Sequence, residues 1–313
     1  MSAKHDHIAS MLDAGHTDEE VIASTTRWKI RLADLKHNRR HYNRVTRDAS
    51  RPRSPQPDSS SSGESEEERL ARITRQYATL GRMADRIISG QLPALIVSGP
   101  PGLGKTYTIE TALAISEKEH DIIRGSVSAA GLYIALYHQR EGGVVVLDDC
   151  DSVFRDEQAL NILKIALDSS DKRTLSWRKL AAWLGDMDIP SSFDFAGSVV
   201  FCTNLDFEAE INRGSKMAVH YQALVDRSLY LSLTLRTSSD YLCRIRQVVI
   251  TERQFEKRGL TEEAAEETMK FIEAHAVRFY TLSIRSALQV AACRLMALDT
   301  WRDDVMATKM RTL

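Results

Sequence analysis

The residues best suited to chemistry lie in one run, Ala94-Leu-Ile-Val-Ser-Gly-Pro-Pro-Gly-Leu-Gly-Lys-Thr106. Gly99, Gly104, Lys105 and Thr106 fit the spacing G-x-x-x-x-G-K-[ST], with Pro100, Pro101, Gly102 and Leu103 filling the turn. Glycines let successive backbone N–H groups converge on phosphate oxygens. Lys105 adds a flexible positive charge for the β- and γ-phosphates, and the Thr106 hydroxyl is a ligand for Mg²⁺. Tyr107 opens a helical stretch running to Ile115, so bound phosphates would face a helix N-terminus. The expected ligands are ATP and Mg²⁺.

A second cluster of chemically useful residues follows an apolar strand, Val144-Val-Val-Leu-Asp148-Asp149. A buried strand that delivers a carboxylate beside a phosphate-binding turn suits a Walker B role, with Asp148 on the metal. The bland alternative is a strand end whose acids face solvent.

These residues need a scaffold, and the pattern supplies one. The strand before the glycine-rich turn is matched by Asp121–Arg124, Val144–Leu147, Ser198–Cys202 and Leu229–Leu235, with helical stretches such as Ala129–Gln139 between them. Continuous apolar runs are what strands buried on both faces require, so the fold class is α/β with a parallel sheet. From Ser238 onward the spacing is helical: Ala265, Met269, Ile272 and Ala276 share one face, as do Ile284, Ala287, Leu288, Ala291 and Leu295.

The 313 residues are 43% hydrophobic and 27% charged, ordinary for a soluble globular chain of about two domains. No stretch approaches the ~18 apolar residues of a membrane span, so no membrane partner is expected. Cys150, Cys202, Cys243 and Cys293 lie far apart without a C-x-x-C pair, which points to a reducing, cytoplasmic setting rather than to structural zinc. The net charge of −1 conceals an asymmetry: Arg27–Arg53 carries ten Lys/Arg against Asp34 and Asp48, a local balance of +8, while Asp58–Glu68 carries five acids. Residues 1–47 read as a basic, helix-turn-helix-like module, with DNA contact the preferred role and a solvated helical interaction domain the alternative. Residues 48–67, rich in Ser and Pro, read as a disordered linker. Residues 68–236 then form the nucleotide-binding core and 237–313 a helical lid.

The order of these features resembles the AAA+ ATPases, and among them the small AAA+ proteins encoded by tailed bacteriophages, over about Glu68 to Leu313. That resemblance implies a P-loop three-layer αβα core with a C-terminal helical lid, Mg²⁺-dependent ATP hydrolysis, and a homo-oligomer, in this family a hexameric ring, placed in a host cytoplasm. It matches Asn204, in Val199-Val-Phe-Cys-Thr-Asn204, to sensor 1. Arg227 lies in the region of the arginine finger that reaches a neighbouring subunit, with Arg213 as its rival, and Arg285 resembles the sensor 2 arginine of the lid. Asp149 stands where the family usually has Glu, one methylene longer, so the resemblance implies for it the role of the base that orients the attacking water. Each of the three polar residues also has a local reading: a turn cap for Asn204, a surface ion pair for Arg227, an exposed helix face for Arg285. The stretch from Lys172 to Phe195, with Trp177 and Trp183, has the form of a hairpin suited either to nucleic-acid stacking or to surface packing. Remodelling of DNA or a DNA-bound complex is the expected work, a protein-remodelling chaperone or a slow ATP switch the alternatives.

Overall fold

The computed structural model describes residues 11, 63–178, 185 and 187–311. Apart from Met11, the helix-turn-helix-like segment lies outside the described residues, as do residues 48–62 of the linker and Trp183.

From Gly63 the chain enters helix α1 (Glu66–Ile88), whose first turn takes in Glu66 and Glu67, the last two residues of the expected linker. Ser65 explains the earlier start: its Oγ accepts from the Glu68 N–H while the Glu68 carboxylate accepts from the Ser65 N–H, a capping box that also places three acids in the first turn. Strand β1 (Ala94–Ser98) follows, then α2 (Lys105–Ser116), β2 (His120–Arg124), α3 (Ala129–His138) and β3 (Val144–Asp148). Helix α4 (Glu157–Ala166) leads to a short antiparallel pair, β4 (Thr174–Ser176) and β5 (Ser192–Asp194). The chain returns through β6 (Ser198–Thr203), α5 (Phe207–Asn212), α6 (Ala218–Asp226) and β7 (Leu229–Ser232).

The five longer-range strands form one parallel sheet in the order β2-β3-β6-β1-β7. β1, β3 and β6 are buried along nearly their whole length, and their side chains divide by alternation. Leu95, Val97, Val144, Val146, Val200 and Cys202 face one apolar layer with α1; Ile96, Val145, Leu147, Val199 and Phe201 face the other with α3 and α4. The fold is therefore a three-layer αβα arrangement around a parallel sheet.

Beyond β7 the chain is helical: α7 (Ser238–Arg246), which continues into a π-helical turn over Gln247–Thr251, then α8 (Glu262–Ala274), α9 (Ile284–Met296) and α10 (Trp301–Lys309). Its apolar residues, among them Tyr241, Ile245, Met269, Val290 and Trp301, join the same core layer as α1. Leu103 of the glycine-rich turn lies in that layer too, so the turn and this helical region share one core.

Candidate functional site

Sheet order decides which strand ends meet. β6 lies between β1 and β3, with Ser98 in register with Thr203 and Asp148 in register with Cys202. The residues that leave these three ends are Gly99, Asn204 and Asp149, brought to the same edge from sequence positions far apart. The Gly99 N–H donates to the Thr203 carbonyl (3.2 Å) and the Asp149 N–H to the Cys202 carbonyl (2.9 Å), which anchors each turn to its neighbour.

Gly104 caps α2 with φ 95° and supplies no side-chain cap, so the first N–H groups of α2 are left for a ligand. Gly102, with φ 73°, lies against the lid, where an added Cβ would come within 2.9 Å of the Ser283 Cβ. Lys105 is buried at 6% exposure, and its ammonium donates to the carbonyls of Gly99 (2.7 Å) and Pro100 (2.9 Å) and to Asn204 Oδ1 (2.9 Å). All three acceptors are neutral oxygens, so an anionic phosphate oxygen is the stronger partner for this cation. Burial holds the Lys105 pKa below its usual range, opposed by the nearby carboxylates of Asp149, Asp148 and Asp151.

The two acids at the end of β3 sit in different surroundings. Asp148 accepts from the Thr106 hydroxyl at 2.6 Å. Asp149 adopts a left-handed backbone with φ 53° and accepts from Asn204 Nδ2 at 2.9 Å. One side-chain amide thereby spans the cation and the second acid, as acceptor for Lys105 and donor to Asp149. The Asp149 carboxyl is raised above the ordinary aspartate range by withdrawal from solvent and then by the neighbouring Asp148, with Lys105 and Arg285 opposing. Asp151 is taken up elsewhere, by the Thr203 hydroxyl at 2.5 Å.

These side chains line a cleft of about 290 Å³ bounded by Pro101, Gly102, Gly104, Lys105, Thr106, Tyr107, Glu110, Asp148, Asp149, Asn204, Ile284 and Arg285. Ten of the fourteen expected site residues line this cleft, and Gly99, Pro100 and Leu103 complete the turn beside it; Arg227 does not line the cleft. It ends α6, where its Nη1 donates to the Ala223 carbonyl (2.9 Å) and its Nε lies 3.7 Å from the Asp168 carboxylate. Arg213 pairs with Glu210 at 2.9 Å and is exposed. Of the hairpin, Leu175 and Phe193 are buried, and Trp177 packs against Tyr133 with ring centres 5.6 Å apart, so the described strands are held to α3.

Two features were not visible in the motif. The lid reaches the turn directly: the Ile284 N–H donates to the Gly102 carbonyl (2.9 Å), and Arg244, at 4% exposure, lies 3.6 Å above the Tyr77 ring with Nε 3.5 Å from the Leu103 carbonyl. The Tyr77 hydroxyl donates to that same carbonyl at 2.6 Å. Arg124 is the second: it joins Glu110 of α2 and stands 3.7 Å from Asp148.

No family model matches the chain. The Thermotoga maritima RuvB Holliday junction branch migration motor is similar at 15% identity and a TM-score of 0.42, over 76% of this chain and 68% of that one. NtrX from Brucella abortus in complex with ATP is similar at 13% identity and a TM-score of 0.47, over 90% of this chain and 62% of that one. Over 244 residues the chain is 35% identical to the uncharacterized 36.7 kDa protein of the nrdC-mobD intergenic region of Enterobacteria phage T4, a match spanning 77% of this chain and 75% of that protein. The chain belongs to the same family as that phage T4 protein.

Proposed function

We propose that this chain is an AAA+ ATPase that binds ATP with Mg²⁺ in the cleft at the N-terminus of α2 and hydrolyses it as part of a homo-oligomer acting on DNA or a DNA-bound complex. The observation that carries the reading is the convergence of Lys105, Thr106, Asp148, Asp149, Asn204 and Arg285 on one cleft from separate elements.

The donor set suits Mg²⁺. A hydroxyl and a carboxylate oxygen stand 2.6 Å apart beside the phosphate-binding turn, both hard ligands, and Mg²⁺ commonly takes one or two protein oxygens and completes its shell with phosphate and water. Thr106 and Asp148 would hold the ion, which neutralises charge on the β- and γ-phosphates.

The chain's own residues divide the remaining work. Lys105 exchanges neutral carbonyls for phosphate oxygens, and the free N–H groups of α2 add dipolar attraction. Asp149 accepts the proton of the attacking water, oriented by Asn204. Arg285 lines the cleft from the lid, so lid position and phosphate charge are linked through it. Arg227, outside its own cleft, is left for the nucleotide of a neighbouring subunit. A slow switch is the second reading, favoured by the short Asp149 side chain already engaged by Asn204.

Support for DNA as substrate comes from the +8 balance of Arg27–Arg53. The test is ATP turnover by the full chain with and without single- and double-stranded DNA, repeated after deletion of residues 1–62. DNA stimulation that is lost on deletion, with ATP binding retained, is expected. Turnover indifferent to DNA in both proteins, with no DNA binding, would favour a protein substrate.

A further inference from the structure

Arg124 occupies a place that the proposed chemistry does not use. It ends β2 directly in register with Asp148 of β3, so the two side chains leave the sheet edge together. Its guanidinium is shared between two acids of the cleft: Nη2 pairs with Glu110 Oε1, and Nε stands 3.7 Å from Asp148 Oδ2. The other oxygen of Asp148, Oδ1, is held by the Thr106 hydroxyl. The carboxylate expected to meet a metal ion thus already faces a fixed positive charge on one oxygen. Arg124 is 59% exposed, so neither its packing nor the core requires it there.

We propose that Arg124 is a tethered counter-ion that competes with the divalent cation for Asp148 and thereby sets the Mg²⁺ concentration at which nucleotide is held. The inference rests on the nucleotide reading above. A dication entering beside Thr106 and Asp148 repels the guanidinium, and Glu110 gives that guanidinium a second partner on which to remain. Removing Arg124 leaves Asp148 uncontested. Neutralising Glu110 removes the alternative partner and commits Arg124 to Asp148. The two changes, at residues that pair with each other, therefore shift Mg²⁺ demand in opposite directions.

The experiment measures equilibrium binding of a fluorescent ATP analogue to the full-length protein across a Mg²⁺ titration and, separately, in EDTA. Exposed ion pairs of this kind are worth little individually, so Arg124→Gln should lower the half-saturating Mg²⁺ by about two- to fivefold, with Glu110→Gln raising it by a similar factor. Arg124→Lys, which keeps the charge, should stay nearer wild type. Affinity in EDTA should be unchanged by Arg124→Gln. A loss of EDTA affinity in that variant would make Arg124 a phosphate ligand and overturn the proposal. Identical Mg²⁺ demand in wild type, Arg124→Gln and Glu110→Gln, all equally folded by thermal melting, would also overturn it. Failure of the wild type itself to bind the analogue at saturating Mg²⁺ would instead remove the nucleotide reading on which it stands.

Discussion

Asp148 and Asp149 are adjacent carboxylates at one strand end with different partners, the Thr106 hydroxyl for the first and the Asn204 amide for the second, and the proposed function gives them different tasks. Asp148→Asn should weaken Mg²⁺-dependent ATP binding, whereas Asp149→Asn should leave ATP bound and reduce turnover by about 10²-fold or more, read by binding and single-turnover assays on each variant. Acid should act through Asp149 as well. A base works only when ionised, and the raised pKa of Asp149 makes it protonate at a higher pH than an ordinary aspartate, so turnover should fall on acidification before the fold is lost. A turnover profile flat through that range would remove Asp149 from the role of base. Both acids were legible in the sequence, because an apolar strand followed by paired acids is a local pattern. Arg124 and Arg244 were not. Their partners lie 14 and 141 residues away, and a lone arginine at a strand end or in a helix carries no sign of which carboxylate or carbonyl it will meet.

At the scale of elements, the sheet strands and the helix after the turn were readable to within a few residues, since unbroken runs of Val, Ile and Leu have few other uses. The run from Leu229 was the exception: the strand ends at Ser232, and Leu233 and Leu235 instead enter the apolar layer shared with the lid. Helices α4, α5 and α6 went unread, two of them only six and nine residues long. The hairpin was anticipated between Lys172 and Phe195, but its fastening through Leu175, Phe193 and Trp177 depends on Tyr133 of α3, which sequence spacing does not connect. The lid's contact with the turn was equally hidden, and Gly102 is where it can be tested. An Ala side chain there must adopt φ 73° and place its Cβ 2.9 Å from Ser283. Gly102→Ala should therefore cost about 1–2 kcal/mol or more and weaken ATP binding, measured as a lowered Tm and a raised Kd. Unchanged Tm and Kd would mean that turn and lid are not joined tightly at this point.

For the whole molecule, the core and lid fold around one shared apolar layer, so the natural place to divide the chain is before α1. The boundary matters in detail: Glu64 pairs with Arg72 at 2.8 Å and Ser65 caps α1, so a truncated protein should begin by Gly63. Subunit cooperation belongs to this scale too. An arginine supplied in trans can contribute about 10³–10⁵ in rate, so Arg227→Ala should bind ATP and fail to turn it over. Mixed under subunit exchange with Lys105→Ala, it should regain hydrolysis at interfaces that pair an intact Lys105 with an intact Arg227. Mixed oligomers as inactive as either parent would turn attention to Arg213. The expectations for binding and turnover all depend on ATP occupying the cleft beside Lys105. Calorimetric titration of ATP with Mg²⁺ into wild type and Lys105→Ala tests that most directly. Charge-assisted contacts worth about 1.5–3 kcal/mol predict saturable wild-type binding that weakens about tenfold or more in the variant, and affinities within twofold of each other would contradict it.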